Sequence, residues 1–382
     1  MSTIFNLQRK QTKDLFFGDQ LGLQDYINIQ YPELEALAQK QRSQFWIETE
    51  ISLDQDFKQW PNLPKGIQEI TLMNLAWQLQ ADSIVGRAPQ AILGPLMSNP
   101  ELENMVMQWT YFETIHSRAY SNIIRNVLPN PAEFIESVAD DVASYARLDS
   151  IVRIFDDIYN ATPAWLEFQE SYKYHEDPKS CPVYLAYLES MQVKLLDFYF
   201  AVYALEAIQF YASFSCTFAL GEQDILSGIA GNLELIAKDE AVHTQMTCAT
   251  LKILKTQVSE NVWNRALANA PGILTEILNA EIGWAYQLFS GNRKIIGHNA
   301  ELTIDYLYYI AKLAFEAIGV EYPSHLRVVS KHPIPWIEYW LNPGLKQVAP
   351  QETQIKTYKV GSVLGSTNDS INSLNDEFKD FL

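Results

Sequence analysis

The sequence predicts an all-α fold for this chain of 382 residues. Apolar side chains recur at spacings of three and four over long stretches, which is the period of a helix that buries one face. The alternation of apolar and polar residues that marks strands is scarce. Because 48% of the residues are hydrophobic and 12% are aromatic, the chain can bury one large core between its helices.

Eight segments carry the helical period. The segment at 99–127 starts with Asn99, a favourable N-cap, and Pro100, which suits the first helical position. The segment at 183–220 is apolar nearly all round, so we expect it at the centre of the protein. In chain order the predicted helices are 33–46, 66–88, 99–127, 133–171, 183–220, 232–257, 259–290 and 300–319.

Charge and cysteine content exclude several classes of protein. The chain has 46 acidic and 28 basic residues, a formal net charge of −18, and no basic stripe. Such a surface repels phosphate backbones, so nucleic acid is not expected as a partner. Three cysteines without CxxC spacing argue against a disulfide framework or a thiolate metal site, and indicate a reducing cytoplasm.

One stretch, 198–220, is long and apolar enough to suggest a membrane span. It contains Glu206 and Gln209 near its middle, and an ionisable group there would be costly in lipid. Polar segments flank it, and the N-terminus has no export signal. We therefore predict a helix buried inside a protein that does not enter the membrane.

Composition changes after Trp340. The stretch that follows is rich in Ser, Asn, Asp and Gly and has no sustained period, which predicts a helical domain at 1–340 and a flexible tail at 341–382. The tail ends in an apolar group among acidic residues: Phe378, Phe381 and Leu382. It is either a disordered end or a peptide that docks on a partner.

Two predicted helices contain the pattern Glu-x-x-His, with Glu113 before His116 and Glu240 before His243. At this spacing both side chains lie on one helix face and can reach one metal ion. Two such pairs are a weak signal alone, because Glu is common in this chain.

A carboxylate in an apolar helix precedes each pair. Asp82 lies 31 residues before Glu113, and Glu206 lies 34 residues before Glu240. This repeat matches the ligand arrangement of dinuclear carboxylate bundles, in which two helices give one carboxylate each and two give a Glu-x-x-His pair. Four carboxylates also balance two divalent ions, and iron or manganese suits these donors. The alternative is that Asp82 and Glu206 are satisfied polar residues and the pairs lie on the surface.

Tyr120 follows His116 by one helical turn, on the same face. Phe210 and Phe214 follow Glu206 by four and eight residues, and Ile236 precedes Glu240 by four, so they should also project toward the metal site. The tyrosine is either ordinary core filling or a redox group. If dioxygen oxidises the metals, a nearby phenol in a dry apolar pocket is the easiest group to lose an electron.

These motifs resemble the small, radical-generating subunit of class I ribonucleotide reductase. The resemblance runs in unbroken order from about Phe16 to the C-terminus. The matching segments are 45–46 (FW), 81–87 (ADSIVGR), 113–120 (ETIHSRAY), 204–211 (ALEAIQFY), 236–243 (IAKDEAVH), 333–337 (PIPWI) and 349–352 (APQE) followed by Tyr358.

The resemblance implies a ferritin-like helical bundle and a role for each matching residue. One iron would be held by Asp82, Glu113 and His116, and the other by Glu206, Glu240 and His243. Tyr120 matches the residue that carries the stable radical, and Trp46 and Asp239 match the start of a radical relay that His116 links to the metals. Tyr358 matches the relay residue at the subunit interface, and Glu352 matches a tail carboxylate of the same relay.

The resemblance also implies partners and an activity. The protein would be the radical-generating part of ribonucleoside-diphosphate reductase, assembled with dioxygen and an electron donor. It would be a cytoplasmic homodimer that docks on the large catalytic subunit through its C-terminal residues. Two alternatives remain at this point: a di-iron oxidase that acts on a bound substrate, and a ferritin-like iron-storage protein.

Overall fold

The structure is a computed structural model that describes residues 13–19, 21–140, 142–172 and 174–341, without the side chains of 142–144. The predicted tail lies outside the described residues. The roles predicted there for Glu352, Tyr358, Phe378, Phe381 and Leu382 are therefore not addressed by the structure.

The described part of the chain is helical. It contains two isolated β-bridges but no strand, which confirms the all-α prediction. Among these residues the α-helices are α1 Pro32–Ser43, α2 Asp54–Gln59, α3 Lys65–Val85, α4 Pro100–Val127, α5 Pro131–Ala139, α6 Val142–Ser171, α7 Pro182–Ala204, α8 Tyr211–Gly221, α9 Ser227–Gln257, α10 Glu260–Phe289, α11 Ala300–Ala317 and α12 Glu338–Leu341. Short 3₁₀ turns lie at Trp60–Asn62, Pro178–Ser180 and Pro335–Ile337.

Helix α4 begins as its sequence predicts. The Asn99 side chain accepts a hydrogen bond from the Leu102 backbone N–H at 2.9 Å, and Pro100 takes the first helical position. The cap satisfies one of the free N–H groups at the helix start. The helix predicted at 99–127 is thus confirmed.

Two predicted boundaries are wrong. The helix predicted at 133–171 is two helices, because α5 ends at Ala139 and α6 begins at Val142. The C-cap of α5 is Asp140, and Asp is a weak helix former. The helix predicted at 33–46 ends at Ser43, so Trp46 lies on the non-helical segment that follows α1.

The helix predicted at 183–220 is also interrupted. Between α7 and α8 the residues Leu205–Gln209 form a π-helical turn, which we call the π-helical segment. A π turn adds a residue to the helical repeat and is often found at functional sites; a second one in the described residues lies at Pro89–Leu93. Glu206 lies within this segment, so its side chain is placed by local geometry that a regular helix would not give.

The candidate ligands lie where α3, α4, α9 and the π-helical segment meet. Helix α4 packs on α3 and α9, the π-helical segment packs on α9, and α1 lies across α4 and α9. Asp56 in α2 fixes the start of α9, because its carboxylate accepts hydrogen bonds from the N–H groups of Gly228 and Ile229. No helix in the described residues has the length and apolar character needed to cross a membrane.

Candidate metal centre

The six predicted ligands come together in the centre of the bundle, and each is at most 1% exposed. They form two overlapping groups, and within each group the ligand atoms lie within 4.8 Å of one another. The first group is Asp82, Glu113, His116 and Glu240, and the second is Glu113, Glu206, Glu240 and His243. Glu113 and Glu240 belong to both groups, so the geometry gives them a shared position that sequence spacing did not predict.

Both histidines turn the same ring nitrogen toward the shared carboxylates. His116 Nδ1 lies 3.3 Å from Glu113 Oε2 and 3.4 Å from Glu240 Oε1. His243 Nδ1 lies 3.1 Å from an oxygen of each of the same two residues. The two rings, with centroids 5.9 Å apart, therefore face a common space between the carboxylates.

The oxygens of the cluster fit bound cations. Both oxygens of Asp82 and both of Glu206 are buried and have no hydrogen-bond partner among the described residues. Burial raises the pKa of each of these two carboxyls well above its ordinary value, and the negative charges of Glu113 and Glu240 raise it further. Buried carboxylates without partners are costly unless a cation neutralises them. The donor set thus fits a dinuclear metal site.

His116 and His243 neutralise part of the negative charge of the carboxylates. Burial raises the pKa of Glu113, but hydrogen bonds and positive charge from His116 and His243 outweigh burial and bring it to about 2. Burial lowers the pKa of both histidines, but the surrounding carboxylates outweigh it and hold both pKa values well above the ordinary value. Metal ions and protons therefore compete for this cluster.

Asp239 connects the cluster to α1. Its Oδ2 lies 3.1 Å from His116 Nε2 and accepts a 2.7 Å hydrogen bond from Trp46 Nε1–H. The structure therefore brings together the three residues of the predicted relay. The other carboxylate oxygen of Asp239, Oδ1, accepts a 2.8 Å hydrogen bond from the side chain of Gln41. Gln41 was not predicted, because a glutamine in an amphipathic helix carries no signal for a partner 198 residues away.

Trp109 is a second residue that sequence reasoning missed. Its indole N–H donates a 3.1 Å hydrogen bond to Glu113, and its ring centroid lies 5.6 Å from that of His243. The signal was present, because Trp109 precedes Glu113 by four residues on the same helix face. Trp109 thus orients a shared carboxylate of the cluster.

Tyr120 is fully buried, and its hydroxyl has no hydrogen-bond partner among the described residues. Burial, followed by the negative charge of Asp82, raises the pKa of its phenol well above the ordinary value, so the phenol stays neutral. Phe210, Phe214 and Ile236 are also buried, and the two Phe rings stack with centroids 5.7 Å apart. That these three residues form a pocket around Tyr120 stays a prediction.

Comparison with known proteins identifies the family. A family model described as "Ribonucleotide reductase, small chain" matches residues 24–327. The chain belongs to the ribonucleotide reductase small-chain family. It is 34% identical over 369 residues to the ribonucleoside-diphosphate reductase subunit beta of Buchnera aphidicola, covering 96% of each chain. It is 33% identical over 385 residues to the subunit beta of Enterobacteria phage T4, covering 97% of this chain and 98% of that protein.

Solved structures agree with the fold. The ribonucleotide reductase R2 subunit from Clostridium botulinum superposes with a TM-score of 0.71 at 22% identity, over 89% of this chain and 98% of that one. The dimanganese(II)-NrdF of Streptococcus sanguinis gives a TM-score of 0.65 at 16% identity, over 83% and 98%. The predicted ferritin-like helical architecture is confirmed.

Family membership confirms the predicted activity at the level of the family. The chain is a small subunit of ribonucleotide reductase, an oxidoreductase that works together with a large subunit. The substrate oxidase and the iron-storage protein are not favoured.

Proposed function

We propose that the chain holds two iron ions, uses dioxygen to convert Tyr120 to a radical, and passes the oxidising equivalent to a large catalytic subunit that reduces ribonucleoside diphosphates. One observation carries the proposal: the six buried ligands lie together, and Tyr120 is buried one helical turn from His116. Two metals in this cluster, with dioxygen, would supply the one-electron oxidation. Manganese is the second candidate metal, because the same carboxylate and imidazole donors suit it.

The residues around Tyr120 would protect and prepare it. Oxidation of a neutral phenol releases its proton, and Asp82 is the carboxylate whose charge acts most strongly on the phenol. A stack formed by Phe210 and Phe214, with Ile236, would keep water and reductants away from the radical.

The relay would leave the cluster through Asp239. Trp46 donates its indole N–H to this carboxylate, so the proton has an acceptor when the indole loses an electron. In the tail, Glu352 and Tyr358 would continue the relay, and the group Phe378, Phe381 and Leu382 would dock on the large subunit. We propose a homodimer in the cytoplasm that receives electrons from a separate donor during assembly.

Turnover with the large subunit tests this function. The wild-type chain, loaded with iron in air, should support reduction of a ribonucleoside diphosphate by the large subunit. Tyr358→Phe should keep its tyrosyl radical and lose turnover, whereas the matched control Tyr339→Phe, at an exposed tyrosine in α12, should keep both. Normal turnover by Tyr358→Phe would contradict the relay.

Docking has a separate test. Deletion of residues 378–382 should abolish co-purification with the large subunit while leaving the metal content of the chain unchanged. Full binding by the shortened chain would show that the docking surface lies elsewhere.

A further inference from the structure

The π-helical segment is held at its C-terminal end by a residue from α6. Arg147 donates a 3.1 Å hydrogen bond from Nη2 to the backbone carbonyl of Gln209. In return the Gln209 side chain donates a 2.9 Å hydrogen bond from Nε2 to the backbone carbonyl of Arg147. Both residues are buried, so these two bonds are shielded from bulk solvent. These two hydrogen bonds hold the C-terminal end of the π-helical segment against Arg147 of α6.

Three further side chains fix the guanidinium group. Glu281 of α10, which is fully buried, accepts a 2.7 Å hydrogen bond from Arg147 Nε and a second one from Nη2. The guanidinium carbon lies 3.7 Å from the ring centroid of Trp77 and 4.4 Å from that of Trp284, so the planar group is held between two indoles. Arginine, with its flat face and forked donors, suits this position better than lysine.

The two indoles are themselves anchored. Trp284 donates a 3.3 Å hydrogen bond to Asn74 in α3, and Trp77 meets Phe210 edge-on with ring centroids 5.1 Å apart. Helices α3, α6 and α10 thus converge on the residues that follow Glu206. We call the group of Arg147, Glu281, Trp77, Trp284 and Gln209 the arginine clamp.

Stability alone does not explain the arginine clamp. Removing an ion pair from water costs about as much as the attraction returns, and apolar residues of similar volume often serve as well. Arg147 Nη1 is buried without a hydrogen-bond partner among the described residues, which adds to the cost. The geometry of the arginine clamp instead indicates that it positions the backbone of the π-helical segment. Its bonds to Gln209 lie three residues from Glu206, a candidate ligand in the same segment.

We propose that Arg147 and Glu281 are positioning residues that hold the π-helical segment, so that the Glu206 carboxylate lies preformed beside Glu240 and His243. Neither residue touches a metal. Loss of the arginine clamp would release the π-helical segment. It would weaken metal binding by the group that contains Glu206 more than metal binding by the group that contains Asp82. The metal-binding part of this inference rests on the proposed function, whereas the backbone part concerns the chain alone.

A charge-neutral double variant separates position from charge. Arg147→Met with Glu281→Gln removes both charges together, so no unpaired buried ion is left behind. The matched control is Arg153→Met with Glu276→Gln, an exposed ion pair between the same two helices. In the metal-free chain, amide hydrogen exchange at 205–210, measured relative to 240–246 in α9, should be about tenfold faster in the clamp variant and unchanged in the control. Equal relative protection at 205–210 in wild type and clamp variant would overturn the proposal.

Metal titration tests the metal-binding part of the proposal. With Mn²⁺ as the probe, counted by electron paramagnetic resonance, the wild type and control should bind two ions, and the clamp variant should bind one of them at least about tenfold more weakly. Two ions bound with wild-type affinity by the clamp variant would overturn the proposal even if exchange is faster. If the wild type itself does not bind two ions, the proposed function fails, and hydrogen exchange alone decides the clamp.

A milder variant covers a failure to fold. If the double variant shows no cooperative thermal unfolding, Arg147→Lys takes its place, because lysine keeps the charge but lacks the fork and the flat face. Faster relative exchange at 205–210, with weaker binding of one Mn²⁺ ion, is again expected. Wild-type values in both measurements would reject the clamp as a positioning device.

Discussion

The two histidines of the candidate centre differ in what lies behind them. Both turn Nδ1 toward Glu113 and Glu240, yet His116 Nε2 meets Asp239, whereas His243 Nε2 has no hydrogen-bond partner within the described part of the chain. The His116 side thus continues by hydrogen bonds through Asp239 to Trp46. On the His243 side the ring lies beside Trp109, with centroids 5.6 Å apart.

This difference suggests that the His116 side and the His243 side have different functions. A charge-bearing hydrogen-bonded chain can carry an electron and its proton together, as the proposed relay requires. A side without such a chain can only hold and shape the metal site. We therefore expect changes on the His116 side to affect delivery of the radical, and changes on the His243 side to affect metal binding.

The largest effect is expected from Asp239→Asn. The amide keeps the size of the side chain but loses the charge that Trp46, Gln41 and His116 share. Turnover with the large subunit should fall about 100-fold, with two metal ions still bound. The control is Glu234→Gln, which changes another carboxylate of α9. Wild-type turnover by the Asp239→Asn enzyme would contradict a relay on the His116 side.

A smaller effect of a different kind is expected from Trp109→Phe. This change removes the hydrogen bond that orients Glu113 beside His243. Metal affinity should weaken about tenfold, whereas turnover per loaded site should stay at the wild-type value. Trp165→Phe, which replaces a buried indole of α6 that packs against Tyr184 of α7, serves as control. If Trp109→Phe instead lost turnover at full metal loading, the division between the two sides would fail.

The smallest effect is expected from Gln41→Leu. Asp239 loses one of three partners, and a single hydrogen bond contributes about 1 kcal/mol, so turnover should fall about fivefold. The matched control is Gln39→Leu, an exposed glutamine of the same helix whose side chain donates a hydrogen bond to Glu35 within α1. A loss as large as that of Asp239→Asn would mean that Gln41 does more than hold the carboxylate in place.

The parts of this site that follow helical spacing could be predicted from the sequence. Asp82, Glu206 and the two Glu-x-x-His pairs lie on regular repeats in apolar surroundings, and all six residues meet in the structure. The cap at Asn99 follows from local rules as well.

Other parts depend on tertiary packing and could not be predicted. The π-helical segment lies in a stretch that is apolar on all sides, so its shift in helical repeat leaves no phase change in the hydrophobic pattern. Arg147 is buried, although arginine is usually exposed, and Gln41 meets a carboxylate far away in sequence. Each of these depends on which helices pack together, which a single sequence does not show.

The central claim is that the buried cluster oxidises Tyr120. Purified metal-free chain is given ferrous iron and air, and bound iron and the electron paramagnetic resonance signal are measured on the same sample. The wild type should bind two irons and show a tyrosyl radical, and Tyr120→Phe should bind the same iron without that signal. A wild type that binds two irons and shows no radical, or a signal that persists in Tyr120→Phe, would contradict the account.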